Sequence, residues 1–235
     1  MSGAGEINPA YLEDASGFRG HAERLYVPSS EAELSEILRE AAGRSVPVTI
    51  AGGGTGVTGG RVPQGGWIVS PEKLNRLEIH AGKALAAAGV ILADLHAAAA
   101  RSSQFYPPDP TETAALIGGT IATNASGSRS FRYGDTRRHV LGLRVVLAGG
   151  RIMEVRRGDK VDFPIREVRR PRTTKHSAGF RLHPGMDWVD LFVGSEGALG
   201  VIAEAELRLL PAPKELLAGV VFFPRDEEAL QAVDS

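Results

Sequence analysis

Six glycines fall within the ten residues Ala51–Gly60, AGGGTGVTGG. Glycine lacks a Cβ, so a loop this rich in it can turn its backbone N–H groups onto an anion at close range. Gly54, Gly56 and Gly59 satisfy GxGxxG, and the apolar run Val46–Ile50 precedes them, so a helix-based dinucleotide site has to be tested. That site needs a helix starting inside the motif, its N-terminus facing the pyrophosphate. Here Arg61-Val62-Pro63-Gln64-Gly65-Gly66 follow, which fit no helix, and no Gly-Lys-Ser/Thr closes a phosphate loop. The expectation is a strand–loop–strand turn that cradles a diphosphate with its own N–H groups. The rival reading is a structural turn, which needs only one or two glycines.

Two further glycine clusters lie at 118–127 and 194–200. Cysteine is absent, which excludes disulfides, Fe–S clusters, thiolate zinc sites, a cysteine nucleophile and a cysteinyl cofactor link. Lys+Arg is 27 against Asp+Glu 28, a net charge of −1, so no cationic surplus exists to hold nucleic acid or an anionic membrane. The six histidines lack metal-ligand spacing, and no metal site is expected. His96 reads as an exposed helix residue and His139 as a structural one. Arg166, Arg169, Arg170 and Arg172 read as a solvated basic face. No group is assigned as the catalytic base.

These loops need elements to position them. Ser30 and Glu33 have capping-box spacing ahead of Leu34, Ile37, Leu38, Ala41 and Ala42, so a helix runs to Gly43. Short strands are expected at 46–50, 67–70, 76–79 and 85–90, and helices at 91–101, 117–123 and 187–193. FYPPDP (105–110) is irregular because its prolines bar helix and inner strand. Residues 140–147 and 151–156 flank Gly149-Gly150 as a hairpin. Residues 157–185 form an irregular excursion, 201–210 alternate as a strand, 216–223 read as another strand, and a helix begins at 224–226. The longest apolar run, Ala84–Ala93, is bounded by Lys83 and Asp94 and is too short to span a membrane. With no basic, apolar leader at residues 1–14, a cytoplasmic location is expected.

With AGGGTGVTGG, the segments FYPPDPTETAALIGGTIATNASG (105–127), RYGDTRRHVLGLRVVLAGG (132–150), KHSAGF (175–180) and LFVGSEGALGVIAEAELRLLP (191–211) form an ordered series. In this the chain resembles the FAD-linked oxidases with a PCMH-type, vanillyl-alcohol-oxidase-like FAD domain, in the glycolate oxidase subunit/D-lactate dehydrogenase branch. The resemblance implies an α+β fold, with a small N-terminal βαβ piece beside a larger, mostly antiparallel sheet and FAD in the cleft between. It implies that Gly52, Gly53, Gly54, Thr55, Gly56 and Gly59 wrap the pyrophosphate. Pro108 and Asp109 would lie along the flavin. Gly118, Gly119, Thr123, Asn124 and Gly127 would line the ring and ribityl side, with Tyr133 and Gly134 nearby. Glu196, Gly200, Val201 and Ile202 would meet the adenosine end. Lys175 and His176 are weak substrate-side candidates. Several relatives have a flavin-linking His where Thr55 stands, so the FAD here is expected to be non-covalent. Relatives often carry an Arg just before the loop, where this chain has Ile50-Ala51.

The implied activity is oxidation of a 2-hydroxy acid such as D-lactate or glycolate by hydride transfer to flavin N5, with an external electron acceptor. The resemblance covers roughly 25–212 as an FAD-binding domain, leaving 213–235 as the start of a substrate or cap domain. The alternative is an FAD-binding module that needs a separate or missing cap-domain chain to turn over. A flavin reductase of the cell-wall enolpyruvyl type is the weaker third reading.

Overall fold

A computed structural model of the chain describes residues 7–169, 171, 173, 178–215 and 219–234. In chain order its elements are β1 (Arg24–Tyr26), α1 (Glu31–Gly43), β2 (Val48–Ile50), β3 (Trp67–Val69), β4 (Leu77–His80), β5 (Lys83–Ala87), α2 (Leu92–Arg101), β6 (Gln104–Phe105), α3 (Ile117–Ala122), α4 (Ser130–Tyr133), β7 (Val140–Val146), β8 (Ile152–Arg156), α5 (Trp188–Phe192), β9 (Val201–Arg208), β10 (Leu210–Pro211) and α6 (Asp226–Asp234). The expected α+β organisation is present. A parallel sheet, β1-β3-β2, is built on the β1–α1–β2 unit, and a five-stranded antiparallel sheet runs β4-β5-β9-β7-β8. No helix among the described residues is long and apolar enough to cross a membrane.

Helix α1 starts at Ser30, whose Oγ accepts a hydrogen bond from the Glu33 N–H at 3.2 Å. The Glu33 carboxylate reaches back one residue further than a standard capping box, to the Ser29 N–H at 2.7 Å. Its buried stripe, Leu34, Ile37, Leu38 and Ala41, packs with Trp67 and Val69 of β3 onto Ala87, Val146, Val201 and Ala203 of the antiparallel sheet. A second core, with Leu92, Leu95, Ile117, Ile121, Val189 and Phe192 from α2, α3 and α5, covers the opposite face.

Strand β9 joins the two cores, and its alternation is not continuous. Arg144 pairs with Glu204 but Val145 with Ile202, so a bulge falls at Ala203. Before the bulge Val201 and Ala203 face the α1 core; beyond it Ala205 and Leu207, of the same parity, face the other. One extra residue reverses the side-chain phase of a strand, and it lets β9 serve both layers.

The hairpin β7–β8 forms as expected, with Gly150 at φ +78 in its turn. Strands β1, β6 and β10 and helix α4, too short to leave a pattern, were not anticipated. The strand expected over 216–223 is corrected: residues 219–223 carry no strand, and 216–218 lie outside the described residues. Val220, Val221 and Phe222 are instead highly exposed, at 80%, 73% and 88%.

Candidate active-site cleft

A cleft of about 350 Å³ opens where the loop after β2 meets α3 and the start of β9. The Ala51 N–H bonds the Val69 carbonyl at 2.9 Å, which anchors the loop at its root. Residues 52–56 then line one wall. Gly118, Gly119 and Thr123 line the facing wall, and Glu196, Gly200, Val201 and Ile202 line one end. No helix follows the loop, in agreement with the rejection of a helix-based dinucleotide site.

The glycines act in different ways. A Cβ on Gly119 would meet nothing within 4 Å, so this helical residue leaves bare backbone facing the opening. A Cβ on Gly52 would lie 3.9 Å from the Gly119 Cα, so two uncovered main chains oppose each other. A Cβ on Gly118 would instead sit 2.8 Å from that of Ala88, and its role is close packing of α3 on the residues after β5. Gly54 holds φ +78, a conformation that suits glycine, and a Cβ there would lie 2.8 Å from an Arg61 guanidinium nitrogen.

Two residues that sequence reasoning left unassigned shape this wall. Asp14 accepts the Gly59 N–H at 3.0 Å and the Ser16 N–H at 2.9 Å, while the Ala15 N–H bonds Gly54 O at 3.2 Å. Burial pushes the Asp14 carboxyl up, but hydrogen bonds from the Ser16 hydroxyl and from the Ser16 and Gly59 N–H groups, with the Arg61 charge, outweigh it, and its pKa is lowered. Arg61 donates to Gly52 O at 2.5 Å and to Ala10 O. Asp14 lies in a patternless segment that only the folded chain brings to the loop. Arg61, directly after the glycines, carried a signal in its position and charge.

Other expected cofactor residues stand outside the cleft lining and brace it. Asn124, at φ +48 and buried, donates to Asp135 at 2.8 Å and accepts the Arg137 N–H at 2.9 Å. A Cβ on Gly127 would overlap the Asp109 carbonyl, and Asp109 itself pairs with Arg129 at 3.3 Å. Pro108 O accepts from His96 Nε2 at 3.0 Å. Tyr133 packs edge-on to Phe105, and Gly134 at φ +85 makes room for Arg138. Gly59 is held by Asp14 and overlain by Phe18. His96 is half-buried rather than exposed, and burial pushes its pKa down. His139 is buried, its Nε2 3.0 Å from Tyr133 O. Lys175 and His176 lie outside the described residues, as do Arg170 and Arg172; Arg166 and Arg169 are exposed. No cluster able to hold a metal ion occurs among the described residues.

Below the cleft, Arg137 Nη2 donates to Val193 O at 2.5 Å and Nη1 to Asp190 O at 2.5 Å. Arg157 adds an ion pair to Asp190 at 2.8 Å. The Gly194 and Glu196 N–H groups bond the Ile121 and Ala122 carbonyls at 3.0 and 2.9 Å, which ties this network to α3. Glu196 is thereby held at φ +51 at the cleft edge. The result is a long slot with bare backbone on two sides and a guanidinium at one edge. Among the described residues no His or Lys lines it. Such a slot suits a flat group joined to a diphosphate better than acid–base chemistry.

The family profile of the FAD binding domain matches residues 22–156. The chain is 41% identical over 209 residues to the D-lactate dehydrogenase of Archaeoglobus fulgidus, covering 88% of this chain and 43% of that protein. It is 34% identical over 238 residues to the glycolate oxidase subunit GlcD of Bacillus subtilis, covering 99% and 46%. In fold it matches 6-hydroxy-D-nicotine oxidase from Arthrobacter nicotinovorans at TM-score 0.67 and 18% identity, over 89% of this chain and 41% of that one. The chain thus spans less than half the length of these relatives. It belongs to the PCMH-type FAD-binding domain family and takes FAD as its cofactor.

Proposed function

We propose that this chain is the flavin-holding part of an FAD-dependent oxidoreductase acting on a 2-hydroxy acid such as D-lactate or glycolate. The observation that carries the reading is the opposed bare backbone of Gly52 and Gly119, a slot that side chains on either would fill. Bound FAD would supply a two-electron acceptor for the hydrogen on the substrate's α-carbon. In this proposal Gly52–Gly56 approach the diphosphate, Gly119 and Thr123 flank the ring and ribityl chain, and Glu196 with Gly200–Ile202 bounds the adenosine end. The fixed walls hold the cofactor and exclude water from one side of it. Residues 25–212 form this domain and 213–235 begin another, and an external acceptor removes the electrons. The named activities of the relatives, on D-lactate and glycolate, support the substrate class.

A second reading is a module that binds FAD but turns over only with further protein. It is favoured by the lack, among the described residues, of a His or Lys lining the cleft. Anaerobic mixing of the FAD-loaded chain with D-lactate, glycolate and D-2-hydroxyglutarate separates the two. Bleaching of the flavin's visible band by one of them supports the first reading. A yellow protein that none bleaches supports the second, and a chain that takes up no flavin overturns both.

A further inference from the structure

Arg61 carries a charge with no direct ion-pair partner among the described residues. Among them its guanidinium donates only to carbonyls, Gly52 O and Ala10 O. Its Nε is buried with no hydrogen-bond partner. Each neighbouring acid is committed elsewhere. Asp14 is taken by Ser16 and Gly59, Glu13 pairs with Arg19 at 2.9 Å, and Glu72 accepts the Tyr11 hydroxyl at 2.8 Å. Burial pulls the Arg61 pKa down and outweighs the nearby charges of Asp14, Tyr11, Glu72 and Glu13, none of which forms an ion pair with it directly.

The guanidinium nonetheless lines the cleft, against the glycine loop. A Cβ at Gly54 would crowd its Nη1, so glycine there leaves room for the cation to lie on the loop backbone. Glu196, which reaches to 3.4 Å from the Cβ position of Gly60, lines the same cleft with a negative charge. A dianion entering here would meet that repulsion unless a cation offset it. A half-buried, unpaired guanidinium beside uncovered N–H groups is a complement for paired phosphate oxygens.

We infer that Arg61 is the charge-supplying contact for the cofactor's diphosphate, working with the backbone of the glycine loop. This rests on the FAD reading above and assigns it a residue outside the glycine motif. Arg61 also ties Gly52 to Ala10, so its test must separate charge from bracing.

FAD affinity is measured for wild type, Arg61→Gln and Arg61→Lys at low and high NaCl, with circular dichroism as the check on folding. In wild type, salt should weaken binding by screening the pair. Arg61→Gln should lose about tenfold or more at low salt and show a flatter salt dependence, while Arg61→Lys, which keeps the charge but not the planar fork, should bind between wild type and Gln and keep the salt dependence. Gln binding as wild type does, at both salt levels, overturns the inference. So does Lys failing as badly as Gln, or neither variant folding, since each makes Arg61 a strut. If Gln alone fails to fold, the Lys variant decides by the same criterion. A wild type that binds no FAD overturns the cofactor reading itself, and this assignment with it.

Discussion

At the scale of single residues, Gly118 and Gly119 are adjacent in sequence and opposite in function. Both sit in α3, where alanine favours the helix by about 0.5–1 kcal/mol over glycine. Gly119→Ala adds a methyl into open space, so the apo protein should gain up to about that stability while FAD affinity falls about tenfold or more, roughly 1.4 kcal/mol. Gly118→Ala drives a methyl to 2.8 Å from Ala88 and should cost about 1–3 kcal/mol of stability instead. Thermal melts and flavin titrations of both variants check this; a Gly119→Ala protein with unchanged affinity removes that wall from the site. Thr55 and the absence of cysteine lead to a further expectation. Acid precipitation should release all flavin to the supernatant, and colour left in the washed pellet contradicts it. The glycine loop was legible because clustered glycine has few other uses. Asn124, Gly127 and Gly134 also looked like ligand-facing residues. Sequence alone cannot tell a glycine that admits a ligand from one that admits another carbonyl, such as Asp109 O beside Gly127.

At the scale of elements, periodic segments were readable and short ones were not. Helix α1 shows its cap and stripe because thirteen residues repeat one pattern. Strands of two or three residues, such as β1 and β6, are defined by their partners, Trp67–Val69 and Leu210–Pro211, rather than by their own sequence. The Ala203 bulge was invisible for the same reason. The ionic strut under the cleft was equally hidden, since Arg137, Arg157 and Asp190 are brought together only by the packing of α5 on β7 and β8. Burial pushes the Asp190 carboxyl up, but hydrogen bonds and charge from Arg157 and Arg137 outweigh it and lower the pKa from 3.8. A carboxylate depressed in the folded state stabilises above its unfolded pKa, and that contribution fades as pH falls through the folded value. Asp190→Asn should therefore lose about 2–3 kcal/mol at neutral pH, a charged hydrogen-bonded pair being broken in a half-buried setting. The gap from wild type should close only below about pH 4. Urea melts across pH measure both; a gap that persists unchanged at acid pH shows that the strut does not act through charge.

At the scale of the whole molecule, two layers meet along β9, and the cleft lies where they meet. A ligand that touches the β2 loop, α3 and β9 at once adds to the links between the layers, which already include the Arg144–Glu31 ion pair and the Ser35–Gly150 hydrogen bond. FAD at one hundred times its dissociation constant should add about 2.7 kcal/mol. For a chain of this size that raises the melting temperature by roughly 5–10 °C. Holding a flavin is a smaller demand than using one. Hydride transfer needs the α-carbon fixed near the acceptor and a base within reach of the hydroxyl. Among the described residues, the titratable side chains lining the cleft are Asp14, Arg61, Glu112 and Glu196. Asp14 is occupied by Ser16 and Gly59, Arg61 donates to two carbonyls, and Glu112 accepts the Ala114 N–H at 3.1 Å. Only Glu196 is left among them, on the end proposed for adenosine rather than for the ring. These commitments favour the second reading, on which the FAD-loaded chain of 235 residues should stay yellow through anaerobic mixing with D-lactate, glycolate or D-2-hydroxyglutarate, even as its melting temperature rises with FAD. Rapid bleaching by any of the three would place a competent base and substrate clamp within these residues. The search for them would then turn to the stretch around Lys175 and His176.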